Sequence, residues 1–207
     1  MILTITSIIK ESVMNTDIIT NESFMSNAFA KGLPFDQYIA SGTPEQQSRW
    51  TQVTEAIKVT ADQTTLFSTF TREMKVLIIS GLWCGDCVEQ GPMAHILATL
   101  SDKIELRYID RDTIPPLRDQ VKVCGGTRVP VAIFMAEDYA HCSTFGDRTL
   151  TRYRALQENQ LGTACSTGLF LPAEAELVDT IQDWANEFER IQIMLRLSTR
   201  LRTKHND

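Results

Sequence analysis

The sequence predicts an α/β fold, a sheet flanked by helices with further helices added before and after it. Three observations carry this expectation. A branched apolar run, Val76 to Ile79, is followed by helix-forming sequence from Cys87 to Leu100 and by a strand-like run, Ile104 to Ile109, which together read as a βαβ unit. Two more short strand-like runs follow at 131–135 and 141–145. Capping signals at Thr43 and Thr60, and a long apolar stripe near the end, place helices outside the sheet.

Taken in order, residues 1–27 carry scattered Thr, Ser and Asn without sustained periodicity, which predicts a disordered, dispensable arm or an over-extended start with Met14 or Met25 as the true one. The opening run Met1 to Ile9 is short and Thr-broken, with Lys10 behind it, and does not read as an export signal. Residues 28–73 then form a helical N-terminal extension. For helix 44–59, Thr43 caps, Pro44 suits the first position, Gln46 completes a capping box, and Trp50, Val53 and Ile57 form one stripe. For helix 61–72 the box is Thr60 to Gln63, with Leu66, Phe67 and Phe70 facing inward.

From residue 74 to 207 the pattern is that of the sheet domain with a long C-terminal helix. Strand 76–80, ending at Ser80-Gly81, has the unbroken apolar character of a strand buried on both faces. Pro115-Pro116 starts a short helix that Gly125-Gly126 should stop. Glu137-Asp138 marks a turn between the last two strands, and Gly146 ends the second of them. Helix is expected from Thr149 to about Gln160, and loop from Gly162 to Pro172. In helix 173–197 the stripe Leu177, Ile181, Trp184, Phe188, Ile191 and Leu195 reads as core packing. The acidic start and the Arg196 and Arg200 end suit the helix dipole.

Composition narrows the function. With 207 residues, 43% of them apolar, the chain can bury a core without disulfide staples, and no stretch has the length of apolar sequence a membrane helix needs. A net charge of -6 disfavours nucleic acid or an anionic membrane as partner. Five cysteines, an odd number spread along a mid-sized chain, suggest a reducing, cytoplasmic setting, in which a close pair is more often catalytic or metal-binding than structural.

That pair is Cys84 and Cys87, placed where a strand turns into a helix. The first thiol then sits at the helix N-terminus, where unpaired backbone N–H groups and the dipole favour a thiolate. Cys84 is thereby the nucleophile. Cys87, one turn further in, is placed to attack the mixed disulfide and release reduced substrate.

The segment Trp83-Cys84-Gly85-Asp86-Cys87 resembles the thioredoxin family, whose motif is a Trp followed by Cys-Gly-Pro-Cys. Pro92 in the following helix, Val129-Pro130 and Gly146 fit the same family, and the resemblance covers about Lys75 to Arg148. It implies a thioredoxin-like fold with a mixed central sheet in the strand order 2-1-3-4, and a redox-active Cys84–Cys87 disulfide with no other cofactor. It also implies a cis peptide before Pro130, facing the Cys84 sulfur. Trp83, Gly85, Val129, Pro130 and Gly146 would line a shallow apolar groove for disulfide-containing protein substrates, and a separate reductase would recycle the pair. Arg128 is positioned to stabilise the Cys84 thiolate.

Two departures bear on mechanism. Asp86 stands where the family has proline, and its carboxylate opposes the thiolate, which predicts a reducing pair. Ile78 stands where the family has a buried aspartate, so the base for Cys87 is open between Asp86 and water.

Other readings of the cysteines and histidines fit the sequence less well. A structural zinc site needs two more ligands, and Cys124, Cys142, Cys165 and His95 offer no second pair, so no metal is expected. His141-Cys142 as a nucleophile–base pair conflicts with strand alternation. Cys124, Cys142 and Cys165 read as small hydrophobes, with Cys124 a possible secondary redox target. A redox-inactive binding or chaperone module, and an oxidase or isomerase, remain as alternatives to a reductase.

Overall fold

Strand β1 (Met74–Ser80) is the centre of the molecule, buried at every position except Lys75. A computed structural model describes residues 17–161 and 174–207 of the chain. In it β1 pairs in parallel with β2 (Ile104–Asp110) and antiparallel with β3 (Val131–Ala136), which pairs antiparallel with β4 (His141–Gly146). The sheet is therefore mixed, in the order β2-β1-β3-β4. The unbroken apolar character of β1 and β3 follows from helices covering both faces.

The helices are α1 (Glu22–Lys31), α2 (Phe35–Ala40), α3 (Pro44–Ala56), α4 (Ala61–Ser68), α5 (Gly85–Thr99), α6 (Pro115–Gln120), α7 (Leu150–Leu161), α8 (Glu174–Leu197) and α9 (Thr199–His205). Both expected capping boxes are present, Thr43 with Gln46 and Thr60 with Gln63. Their helices stop short of the expected ends. The chain turns extended at Ile57, φ -74 and ψ 131, so that Thr60 can cap α4. Beyond α4, Gln192 of α8 accepts the backbone N–H of Arg72 at 2.8 Å and leads the chain into β1. Helix α6 ends at Gln120, and the glycines serve a separate tight turn in which Cys124 (φ 48) and Gly125 (φ 74) are left-handed. The long C-terminal helix breaks at Ser198, whose side chain caps α9.

The expected arm needs correction. Residues 1–16 lie outside the described residues, but Asn21 caps α1, and Met25, Ala28 and Phe29 of α1 are fully buried in the same cluster as the sheet. Three apolar residues on one helical face outweigh the polar ones between them. The extension is likewise built into the core. Phe35 stacks on His95 of α5 at 4.0 Å, and Tyr38 on Tyr108 of β2 at 5.3 Å. Trp50 lies so close to α5 that a Cβ on Gly91 would sit 2.4 Å from its ring. On the other side, Trp184 and Phe188 of α8 pack edge-on to Phe145 and Phe134.

Candidate active site

Cys84 is the N-cap residue of α5, with no side-chain cap of its own, at the point where β1 hands over to the helix. Its sulfur is half-buried and faces the Val129 carbonyl, to which the thiol donates at 3.5 Å. The Val129–Pro130 peptide is cis. Cys87, one turn on, is fully buried. A hydrogen bond from Cys87 lowers the Cys84 pKa to about 7 against the opposing effect of burial, and the backbone N–H groups of Cys87 and Asp86 add to the lowering. Burial first, and then the neighbouring Cys84, raise Cys87 well above its ordinary value. The two thiols are thus split into an acidic, reachable one and a protonated, sheltered one.

Pro130 is buried, and Gly146 abuts it from β4. A Cβ on Gly146 would lie 2.4 Å from the Pro130 carbonyl oxygen, and its φ of 146 suits only glycine. Gly146 therefore lets the Pro130 loop close on the sheet. Gly85 has open space where a Cβ would be. Trp83 is exposed, with the Arg111 guanidinium 4.9 Å above its ring.

The opening beside Cys84 is a cleft of about 700 Å³. Trp83 and Val129 line it as expected, but so do Arg111, Arg128, Arg148 and Tyr153, and neither Pro130 nor Gly146 does. The apolar surface expected here is joined by charged side chains, and α7, which follows β4, brings Tyr153, Leu156 and Gln157 over the site.

Two electrostatic expectations change. Arg128 is drawn into a pair with Asp147 at 3.4 Å. Asp147 is buried and also holds Arg148 at 3.2 Å and the Tyr153 hydroxyl, so it draws the guanidinium aside. The Asp86 charge does raise the Cys84 pKa, but its effect is smaller than those of burial and of the Cys87 hydrogen bonds. Its carboxylate is gripped by Arg148 at 2.6 Å and Arg152 at 3.4 Å. Arg152 further bridges Glu89 at 3.2 Å and Glu176 of α8 at 2.8 Å. Burial raises the Glu89 carboxyl to about 7, with Arg152 opposing. Sequence reasoning missed Glu89, Arg148 and Arg152. The only signal was an excess of charge at 147–154 on a segment otherwise read as plain helix.

Among the described residues no cluster of His, Cys, Asp or Glu could hold a metal ion, and no helix is long and apolar enough to cross a membrane. Cys142 donates to the Ala140 carbonyl at 3.5 Å, and His141 contacts Thr144 at 3.0 Å. Cys124 is exposed, and Cys165, with the expected loop 162–172, lies outside the described residues.

A family model described as Thioredoxin matches residues 32–158. Among solved structures, a protein of unknown function from Pseudomonas aeruginosa aligns at 15% identity with a TM-score of 0.60, covering 79% of this chain and 93% of that one. An HIV epitope-scaffold aligns at 16% identity and TM-score 0.57, covering 76% of this chain and 95% of that one. At these identities the likeness concerns the fold. No curated protein matches the chain.

Proposed function

From the premise that this chain belongs to the thioredoxin family, we propose that it is a thiol–disulfide oxidoreductase that reduces protein disulfides through Cys84 and Cys87. One observation supports this most: an acidified thiol at a helix N-terminus, facing the Val129 carbonyl beside a cis-proline, with a buried second thiol one turn behind. The Cys84 thiolate attacks a substrate disulfide sulfur, forming a mixed disulfide and expelling one substrate thiolate. Cys87 then attacks the Cys84 sulfur, closing the Cys84–Cys87 disulfide and releasing the second substrate thiol. No cofactor beyond that disulfide is needed, and a recycling reductase returns the pair to dithiol in a reducing, cytoplasmic setting.

The reductive direction is favoured by how modestly Cys84 is acidified. A strongly oxidising pair stabilises its thiolate much further, to a pKa of roughly 3.5. The charged cleft favours substrates presenting an extended segment beside Trp83 and Val129.

Acceleration of insulin precipitation by dithiothreitol tests the activity, and mixed disulfides trapped on Cys87→Ser identify the substrates. Failure to accelerate, together with no trapped species on Cys87→Ser, would leave the redox-inactive binding module as the better account.

A further inference from the structure

Behind the redox pair lie two buried hydroxyls that make no hydrogen bond of normal geometry. Ser80 and Tyr38 are buried, at 0% and 3% exposure, and neither Ser80 Oγ nor Tyr38 OH has a hydrogen-bond partner of normal geometry among the described residues. Buried hydroxyls are rarely left so, because water has been given up and nothing replaces it.

Their placement is specific. Ser80 ends β1 on the strand face it shares with Ile78, the position where the family's buried acid would stand. Its hydroxyl is near enough to both the Cys87 thiol and the Tyr38 hydroxyl to favour the ionised form of each. Tyr38 is held there by its ring, stacked on Tyr108 at 5.3 Å and edge-on to Trp50 at 5.8 Å. The other titratable groups facing this spot are Cys84 at the head of α5, Asp110 opposite Ser80 in the β1–β2 register, and Tyr108, whose hydroxyl is already donated to the Gly91 carbonyl at 2.8 Å. Asp86, one candidate base for Cys87, has its carboxylate turned to Arg148 and Arg152.

We propose that Ser80 is a catalytic residue of the resolving step, its hydroxyl donating to the Cys87 thiolate as that charge forms, and that Tyr38, donating in turn to Ser80 Oγ, is its positioning residue. The inference rests on the disulfide-exchange reading above. In the resting dithiol Cys87 is a neutral thiol, a weak acceptor that holds neither hydroxyl in a bond of normal geometry. Once Cys84 is tied up as the mixed disulfide, its own negative charge is gone, and a Cys87 thiolate becomes the anion the two donors await. The Cys87 sulfur then bonds to the Cys84 sulfur as the Cys84–substrate bond breaks. The substrate sulfur takes the electron pair and leaves as a thiol, accepting from solvent a proton equal to the one Cys87 gave up.

The test uses dithiobis-nitrobenzoate with full-length protein in excess. The first nitrothiobenzoate released reports attack by Cys84, and the second reports resolution by Cys87. Cys84→Ser supplies the background from the remaining thiols. Ser80→Ala should slow the second phase about tenfold at neutral pH, the loss of one hydrogen bond to a charged group. Its pH midpoint should move upward while the first phase is unchanged. Tyr38→Phe should do the same to a smaller extent. Second phases matching wild type in both variants at every pH would overturn the proposal while leaving disulfide exchange intact. A wild-type protein with no first phase above the Cys84→Ser background would overturn both.

Discussion

Replacing Asp86 with Asn tests how far a neighbouring carboxylate sets the redox poise. An isolated charge this close shifts a thiol by about 1–3 units. Here Arg148 at 2.6 Å and Arg152 at 3.4 Å cancel most of its field, and solvent at the half-exposed sulfur screens the remainder. A fall of at most about one unit in the Cys84 pKa, from about 7, is the expected result. At pH 7 a thiol of pKa about 7 stabilises the reduced form by about 0.4 kcal/mol, and one of about 6 by about 1.4 kcal/mol. The difference, about 1 kcal/mol, makes the pair more oxidising by about 20 mV for two electrons. Neither guanidinium is stranded, because Arg148 keeps Asp147 and Arg152 keeps Glu89 and Glu176, so folding should weaken by only about 1–2 kcal/mol. Equilibration of both proteins against glutathione, with the pH dependence of Cys84 alkylation measured alongside, decides the matter. A variant more reducing than wild type, or a Cys84 pKa that rises, would refute the electrostatic argument.

Three further outcomes are expected. Iodoacetamide should label Cys84 before Cys87, with a rate midpoint near pH 7 read by peptide mapping, and faster labelling of Cys87 would reverse the roles of the two thiols. Glu89 is an acid whose folded pKa, about 7, lies above its unfolded one, so it stabilises the fold when protonated. That contribution, about 3 kcal/mol, drains away as pH rises from the ordinary carboxylate range to about 7, and urea midpoints of Glu89→Gln should lack this decline. Met25→Ala, emptying a fully buried site on α1, should cost about 2–5 kcal/mol in the same assay, and a cost near zero would restore the idea of a dispensable arm.

What was legible in the sequence was local. The Cys84–Cys87 pair, its strand-to-helix setting, Pro130 and both capping boxes depend on residues a few positions apart, where spacing alone constrains geometry. Asp86 shows the limit. Its chemistry was visible, but its partners lie 62 and 66 residues away on and before α7, and no periodicity announces an ion pair across that separation. Arg128 failed for the converse reason: proximity along the chain to Pro130 suggested the sulfur, while the buried Asp147, from another strand's end, took the charge. In α1 the polar residues between Met25, Ala28 and Phe29 masked a face that tertiary packing alone completes.

The helices added around the sheet therefore bear on the chemistry and are more than accessories. Through Arg152, one chain of ion pairs runs from Asp86 in the first turn of α5 to Glu89 one turn on and to Glu176 on α8. Through Trp50, α3 presses on α5 at Gly91 and donates its indole N–H to the Leu82 carbonyl at 3.3 Å, two residues before Cys84. Tyr38 of α2 reaches the space behind Cys87. The helix that carries Cys84 and Cys87 at its start is thus held from the front by an arginine of α7 and from behind by aromatic rings of α2 and α3. A change in either set should move the reactivity of the pair without touching either cysteine, Arg152 acting on the nucleophile through Asp86 and Tyr38 on the resolving thiol through Ser80.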